Sequence, residues 1–243
     1  MAVVGDQFQD VTVVIKTLIR YGVARRTIRS FRLTLPDVRI VVIDDTPEKW
    51  RQDLDGVDHI VTDPDIGLCA GRNLGFRLSE TDIVAYTDDD APCHMSLEDW
   101  QEAVGYLRRG ETQFLGSKGA RFIHKKGEQP HLQKVSMREI SEADGLLKVG
   151  ATQNAFLASR SLLLKHPYDD RIKINGEHFS YFLHLADAGV DVHTAACVKF
   201  RNLNARGNKH YRRFRNRNKF RKFARETTGF GYAKRSLPPG GEA

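Results

Sequence analysis

Short runs of branched apolar residues alternate along this chain with stretches whose apolar positions recur at helical spacing. Val11-Thr12-Val13-Val14-Ile15 is β-branched and almost wholly apolar, the pattern of a strand buried on both faces of a parallel sheet. Ala24, Ile28, Phe31 and Leu35 then predict a helix that Pro36 closes. A second apolar run, Arg39-Ile40-Val41-Val42-Ile43, ends in Asp44-Asp45-Thr46-Pro47. After a polar, acidic stretch, Leu74 and Leu78 can share a helical face, with Gly71-Arg72-Asn73 expected in the first turn. Exposed N–H groups and the Arg72 charge would suit an anion there. Ile83-Val84-Ala85-Tyr86-Thr87 reads as the next strand and runs into Asp88-Asp89-Asp90. The order β-α-β-α-β predicts an α/β fold with a mostly parallel sheet, in which ligands gather outside the strands' carboxyl ends.

The second half is patterned less regularly. Ser96-Leu97-Glu98-Asp99 has the form of a capping box and predicts a helix with Leu97, Trp100, Val104 and Leu107 on one face and Gly110 as its stop. Residues 113–135 read as irregular β or a hairpin. A strand is expected around Ala151 to Ala158, a short helix at Ser159 to Lys165, a longer one from Gly176 to Ala188, and a last strand from Val190 to Phe200.

Charge divides the 243 residues into two unlike parts. Residues 201–235 hold thirteen Lys and Arg against one acid, Glu226, whereas the remainder carries 25 basic and 30 acidic residues. This predicts a mildly acidic globular domain over residues 1–200 and a basic C-terminal tail over 201–243. Three widely spaced cysteines, Cys69, Cys93 and Cys197, match neither a disulfide framework nor a paired zinc motif. With no long apolar segment and no secretory leader pattern at MAVVGDQFQD, the expectation is a cytoplasmic protein without a transmembrane segment.

The three consecutive acids carry the first chemical signal. Strand alternation would put Asp88 and Asp90 on one side and Asp89 on the other. Two ionised carboxylates roughly 7 Å apart repel by about 2 kcal/mol at an effective dielectric near 20. A hard divalent cation between them is one natural remedy, and an acidic surface turn is the bland alternative.

Taken together, Val11 to Arg20, Val42-Ile43-Asp44-Asp45, Ala70-Gly71-Arg72-Asn73-Leu74-Gly75 and Thr87-Asp88-Asp89-Asp90 resemble the nucleotide-binding half of family 2 type glycosyltransferases of the GT-A fold. The likeness is to the branch that includes ganglioside-type N-acetylgalactosaminyltransferases and related viral glycosyltransferases. Gly150-Ala151, Tyr168 to Arg171, Gly176-Glu177-His178 and Ala188-Gly189-Val190 continue it, so that it covers roughly residues 11–200. The resemblance implies a single Rossmann-like domain with a nucleotide-sugar half at 11–90 and an acceptor half at 91–200.

Carried over by position, Thr17 and Arg20 would line the nucleotide, and Asp45 would accept a hydrogen bond from a uracil N–H. Arg72 would approach the base or diphosphate. Asp88 to Asp90 match the DXD motif: Asp90 is the first choice for a Mn²⁺ or Mg²⁺ ion, with Asp88 and Asp89 supporting it or reaching the ribose. Glu177 is the candidate general base and His178 its rival. Relatives often place a histidine ligand just after the last strand; here Val198 to Asn202 holds none, and His210 is the only nearby substitute. The implied reaction is transfer of a sugar from a UDP-sugar donor to an acceptor hydroxyl on a glycan, a lipid or a nucleic acid such as DNA with a hydroxymethylated base. In-line displacement would invert the anomeric centre. Two other classes remain open. A sugar nucleotidyltransferase shares the opening but needs a glycine-rich loop that Lys16 to Arg20 lacks. A nucleic-acid-binding module would use the tail, whose aromatics among positive charges also suit DNA or an anionic membrane surface.

Overall fold

The computed structural model describes residues 7–123, 131–143, 145–203, 209–215, 222–224 and 226. Its framework is an eight-stranded sheet, flanked by helices on both faces in one α/β domain. The leading strands are β1 (Val11–Thr17), β2 (Arg39–Asp44), β3 (Asp58–Val61) and β4 (Ile83–Asp88), which lie in the order β3-β2-β1-β4. All are parallel. Helices α1 (Tyr21–Arg32) and α2 (Leu68–Leu78) make the first crossovers.

Side-chain alternation explains the layering. Val11, Val13 and Ile15 of β1 and Ile83 and Ala85 of β4 join one buried cluster, together with Ile28 and Phe31 of α1 and Trp100 and Val104 of α3 (Leu97–Arg108). Val14, Val84 and Tyr86 point the other way, into a cluster with Phe76 of α2. Strands that read as continuous apolar runs are therefore buried on both faces, as the sequence pattern predicts.

Past α3 the sheet changes direction. Strand β5 (Phe114–Gly116), the hairpin of β6 (Ala120–Ile123) and β7 (His131–Lys134), the short helix α4 (Met137–Glu142), and strands β8 (Leu147–Val149) and β9 (Ala155–Ser159) follow in turn. Strand β9 inserts between β4 and β5 and runs antiparallel to both. Helices α5 (Arg160–Lys165) and α6 (Glu177–Asp187) cover the second face through Leu162, Leu163, Phe182 and Leu185. Strand β10 (Val192–Thr194) pairs parallel to β5 and antiparallel to β8. The sheet thus has four parallel and three antiparallel pairings. The expected last strand is shorter than its apolar run, because after Thr194 the chain leaves the ladder and meets the acid turn instead: Arg201 N–H bonds Pro92 O at 3.1 Å and Leu203 N–H bonds Asp90 O at 2.8 Å.

Three sequence expectations are corrected. The polar stretch before α2 contains β3, which sits at the sheet edge and buries little of itself; an edge strand needs no apolar run. Helix α2 begins at Leu68, so Gly71-Arg72-Asn73 fall after its opening residues and not at the start. Strand β4 ends at Asp88, and Ala91 N–H closes a turn onto Asp88 O at 3.1 Å, so strand alternation does not extend through Asp89 and Asp90. Much of the basic tail lies outside the described residues. Within it, α7 (Lys209–Arg215) and residues 222–224 are described, and Ala224 is buried in the second cluster. Among the described residues, no helix is long and apolar enough to cross a membrane.

Candidate active site

The carboxyl ends of β1, β2 and β4 open into a cleft of about 260 Å³ lined by Lys16, Thr17, Asp45, Asp88, Asp89, Glu177 and His178 among others. That approaches the roughly 300 Å³ at which small-molecule sites begin.

Arg20 organises the acid turn. Its Nη1 donates to Asp90 Oδ2 at 2.7 Å, its Nε to Asp89 Oδ2 at 3.1 Å, and its Nη2 to Asp89 Oδ1. Thr17 Oγ1 adds a 2.9 Å bond to Asp89 Oδ2. Asp89 and Asp90 therefore face the same cation, whereas the strand rule predicted opposite sides. Burial still dominates at Asp89: it pushes the carboxyl up to about 6, against the pull of Arg20. On its other side the Arg20 guanidinium lies 4.4 Å from the ring centroid of Tyr211 in α7, a cation–π contact.

Asp88 belongs to a separate network. Its Oδ1 accepts from Tyr86 Oη at 2.5 Å and from Arg72 Nη2 at 3.0 Å. Burial alone would raise this carboxyl, but Arg72 and the Tyr86 hydroxyl hold it below its ordinary range. Arg72 is fully buried, donates Nε to Tyr86 Oη at 2.7 Å, and lies between the rings of Tyr86 and Tyr168 at 5.1 and 4.9 Å. Its Nη2 also comes within 4.0 Å of Glu177 Oε1. Arg72 thus ties Asp88 to Glu177 from beneath, and it does not line the cleft itself.

At the other end, Asp45 is 1% exposed and already doubly engaged. Lys16 Nζ donates to Oδ1 and Gly67 N–H to Oδ2, the latter at 3.0 Å. Gly67 has φ 99°, and a Cβ there would sit 2.8 Å from the Lys173 backbone, so the chain needs glycine at this crossing. Lys173 returns a 2.6 Å bond from Nζ to Asp65 O. Lys16, Asp65, Lys173, Gln153 and Asn154 all line the cleft and were not singled out from sequence. Only Lys16 left a signal there, as the first residue after the leading apolar run.

Glu177 opens α6 behind Gly176; its Oε2 accepts from Gly176 N–H at 3.0 Å. His178 follows, its Nδ1 2.6 Å from Asn154 Oδ1. His210 packs 4.7 Å from the ring of Trp50, and Phe214 of the same helix lies 6.4 Å from it. Tyr211 and Phe214 complete one wall of the cleft.

Whether these residues suit a divalent cation turns on the oxygens left over. Among the described residues, no group of three or more His, Cys, Asp or Glu could hold a metal ion. Both Asp89 oxygens and one Asp90 oxygen are taken by Arg20, and Asp90 is not on the cleft wall. Asp88 is on that wall, with Oδ2 outside its network. One carboxylate oxygen suffices for a hard cation that keeps waters and takes diphosphate oxygens, so the residues fit such an ion through Asp88.

Known proteins resemble this chain in sequence and in fold. Over 80 residues, 33% of this chain, it is 36% identical to Beta-1,4 N-acetylgalactosaminyltransferase 1 of Homo sapiens and 39% identical to that of Rattus norvegicus. It is 32% identical to Beta-1,4 N-acetylgalactosaminyltransferase 2 of Mus musculus over the same length. These matches span only 15 to 16% of the relatives. The crystal structure of S. aureus TarS superposes with a TM-score of 0.53 at 15% identity, covering 76% of this chain and 36% of that one; at that identity the likeness speaks for the fold alone. The sequence profile described as Glycosyl transferase family 2 matches residues 12–166, well over half of the chain, which therefore belongs to glycosyl transferase family 2.

Proposed function

We propose that the chain is a divalent-cation-dependent, inverting glycosyltransferase that moves a sugar from a UDP-sugar to an acceptor hydroxyl. The observation that carries this reading is the Asp88 carboxylate, held on the cleft wall by Arg72 and Tyr86 with Oδ2 left outside that network. The nucleotide end is Thr17, Asp45 and the Lys16 that braces it, with the diphosphate toward Asp88. Asp90, one of whose oxygens accepts from Arg20, would be the second residue to hold the ion. A Mn²⁺ or Mg²⁺ ion bound there would offset charge building on the leaving diphosphate. Glu177, on the cleft wall and 4.0 Å from Arg72, takes the proton of the acceptor hydroxyl, a role typically contributing about 10² to 10⁴-fold. Attack from the face opposite the leaving group inverts the anomeric centre. The names of the relatives make UDP-N-acetylgalactosamine the first donor to try, and the acceptor is an alcohol on a glycan, lipid or hydroxymethylated base.

The test is thermal stabilisation by nucleotide diphosphates with and without Mn²⁺, on the full chain and on Asp88→Asn and Asp90→Ala. UDP should raise the melting temperature only with Mn²⁺, and Asp88→Asn should lose that rise. No stabilisation by any nucleotide diphosphate would overturn the reading. A DNA duplex in the same panel tests the tail: stabilisation by DNA alone, indifferent to Mn²⁺, would favour a nucleic-acid-binding module.

A further inference from the structure

His178 has one ring nitrogen engaged and one open. The partner of Nδ1 is a carboxamide oxygen, Asn154 Oδ1 at 2.6 Å. An amide oxygen can only accept, so the proton of the neutral ring must sit on Nδ1 and Nε2 must present a lone pair. The ring is held edge-on to Phe182, centroid to centroid 5.1 Å at 73°, so both its tilt and its tautomer are set. His178 and Asn154 both line the cleft, next to Glu177, Gln153 and Asp88. Among the described residues no hydrogen bond engages Nε2, and His178 is half-buried on the cleft wall.

Resting on the reading of the cleft as a UDP-sugar site, we propose that His178 Nε2 accepts a hydrogen bond from a hydroxyl or amide N–H of the donor sugar, with Asn154 fixing the tautomer that makes it an acceptor. His178 is then a specificity-determining residue and Glu177 remains the base. The division fits the ring's chemistry. Burial, with help from Arg72, lowers the His178 imidazole to about 4, which keeps it an acceptor throughout the neutral range and makes it a poor proton acceptor at pH 7. The recognised group belongs to the sugar, because the cations and Asp45 that suit a nucleotide lie at the β1 and β2 end, whereas His178 lies in the first turn of α6 and Asn154 just before β9.

The experiment compares equilibrium binding of UDP and of UDP-N-acetylgalactosamine, both with Mn²⁺, to the full chain and to His178→Phe, His178→Gln and Asn154→Ala. UDP should bind all four within about twofold, while the sugar nucleotide binds His178→Phe about five- to tenfold more weakly, the loss of one hydrogen bond. The amide oxygen of His178→Gln should restore part of that loss, and Asn154→Ala should show an intermediate loss. Equal binding of the sugar nucleotide by wild type and all variants would overturn the proposal. A parallel weakening of UDP would also overturn it, by showing a structural role. Failure of UDP to bind the wild type would instead count against the UDP-sugar reading itself, so the two failures are distinguishable.

Discussion

Arg20 Nη1 lies 2.7 Å from Asp90 Oδ2 while its Nε and Nη2 hold both oxygens of Asp89, so one guanidinium from the loop after β1 occupies two of the three acids at the end of β4. All three residues are buried. Breaking such a set by removing one partner costs about 3 to 5 kcal/mol, and Arg20→Ala should destabilise the chain on that scale at pH 8. The cost should shrink toward pH 5. Asp89 has a native value of about 6 even with Arg20 in place, above the roughly 3.9 of an unfolded chain; the native state therefore binds the extra proton more readily and loses stability as pH rises through that window. Without Arg20 the window moves higher. Melts of wild type and variant from pH 5 to 8 check this, and a deficit independent of pH would contradict it.

Gly67 carries the crossing between β3 and α2. Gly67→Ala would place a side chain at φ 99° and 2.8 Å from the Lys173 backbone, combining a disfavoured conformation with a backbone collision. A loss of about 1 to 3 kcal/mol is expected from the strain, and UDP binding should fall because Gly67 N–H holds Asp45. Gly56, at φ 68° but with nothing within 4 Å of where a Cβ would lie, is the control: Gly56→Ala should cost stability with UDP affinity unchanged.

Arg72→Lys keeps the charge and loses the fork. A lysine ammonium lacks the planar fork by which Nε meets Tyr86 and Nη2 meets Asp88. The variant should be destabilised by about 1 to 3 kcal/mol, and its Mn²⁺-dependent UDP stabilisation should weaken, since Asp88 loses its fixed orientation. Urea unfolding and the thermal panel measure the two effects separately. Retained UDP stabilisation in a destabilised variant would show that Asp88 needs no such support.

Trp50 packs on His210 and meets Phe214 edge-on. Trp50→Ala should release α7 from the cleft wall. Aromatic pairs of this kind contribute about 0.5 to 1.5 kcal/mol beyond burial, so the melting temperature should fall modestly, while trypsin should cut at Arg212 and Arg213 faster than in wild type. Unchanged cleavage would mean that other contacts dock the helix.

The parallel half was legible because it follows rules that act locally. β-branched runs make buried strands, and acids at strand ends collect at one edge; Val11, Arg39 and Ile83 each begin the strand that their run predicts. What escaped was pairing over distance. Nothing near Arg72 in the chain announces that Tyr168, far along the sequence, will pack against it, or that its charge is consumed by Asp88. An arginine in a helix looks solvated until the partner aromatics are known. In the same way Asn154 falls inside the strand expected around Ala151 to Ala158, whereas β9 begins only at Ala155 and its reversal brings Asn154 beside the acid turn.

That reversal has a consequence for how this scaffold can change. Because β9 runs against β4, with Ala155 opposite Thr87, the residues that enter β9 arrive at the same edge from which Asp88 leaves. In a wholly parallel sheet they would start at the far end. The segment before β9 can therefore be exchanged, reshaping one side of the cleft, while the strands that position Asp45 and Asp88 stay untouched. Variation in what the cleft admits is mechanically uncoupled from the acids and cations at its floor.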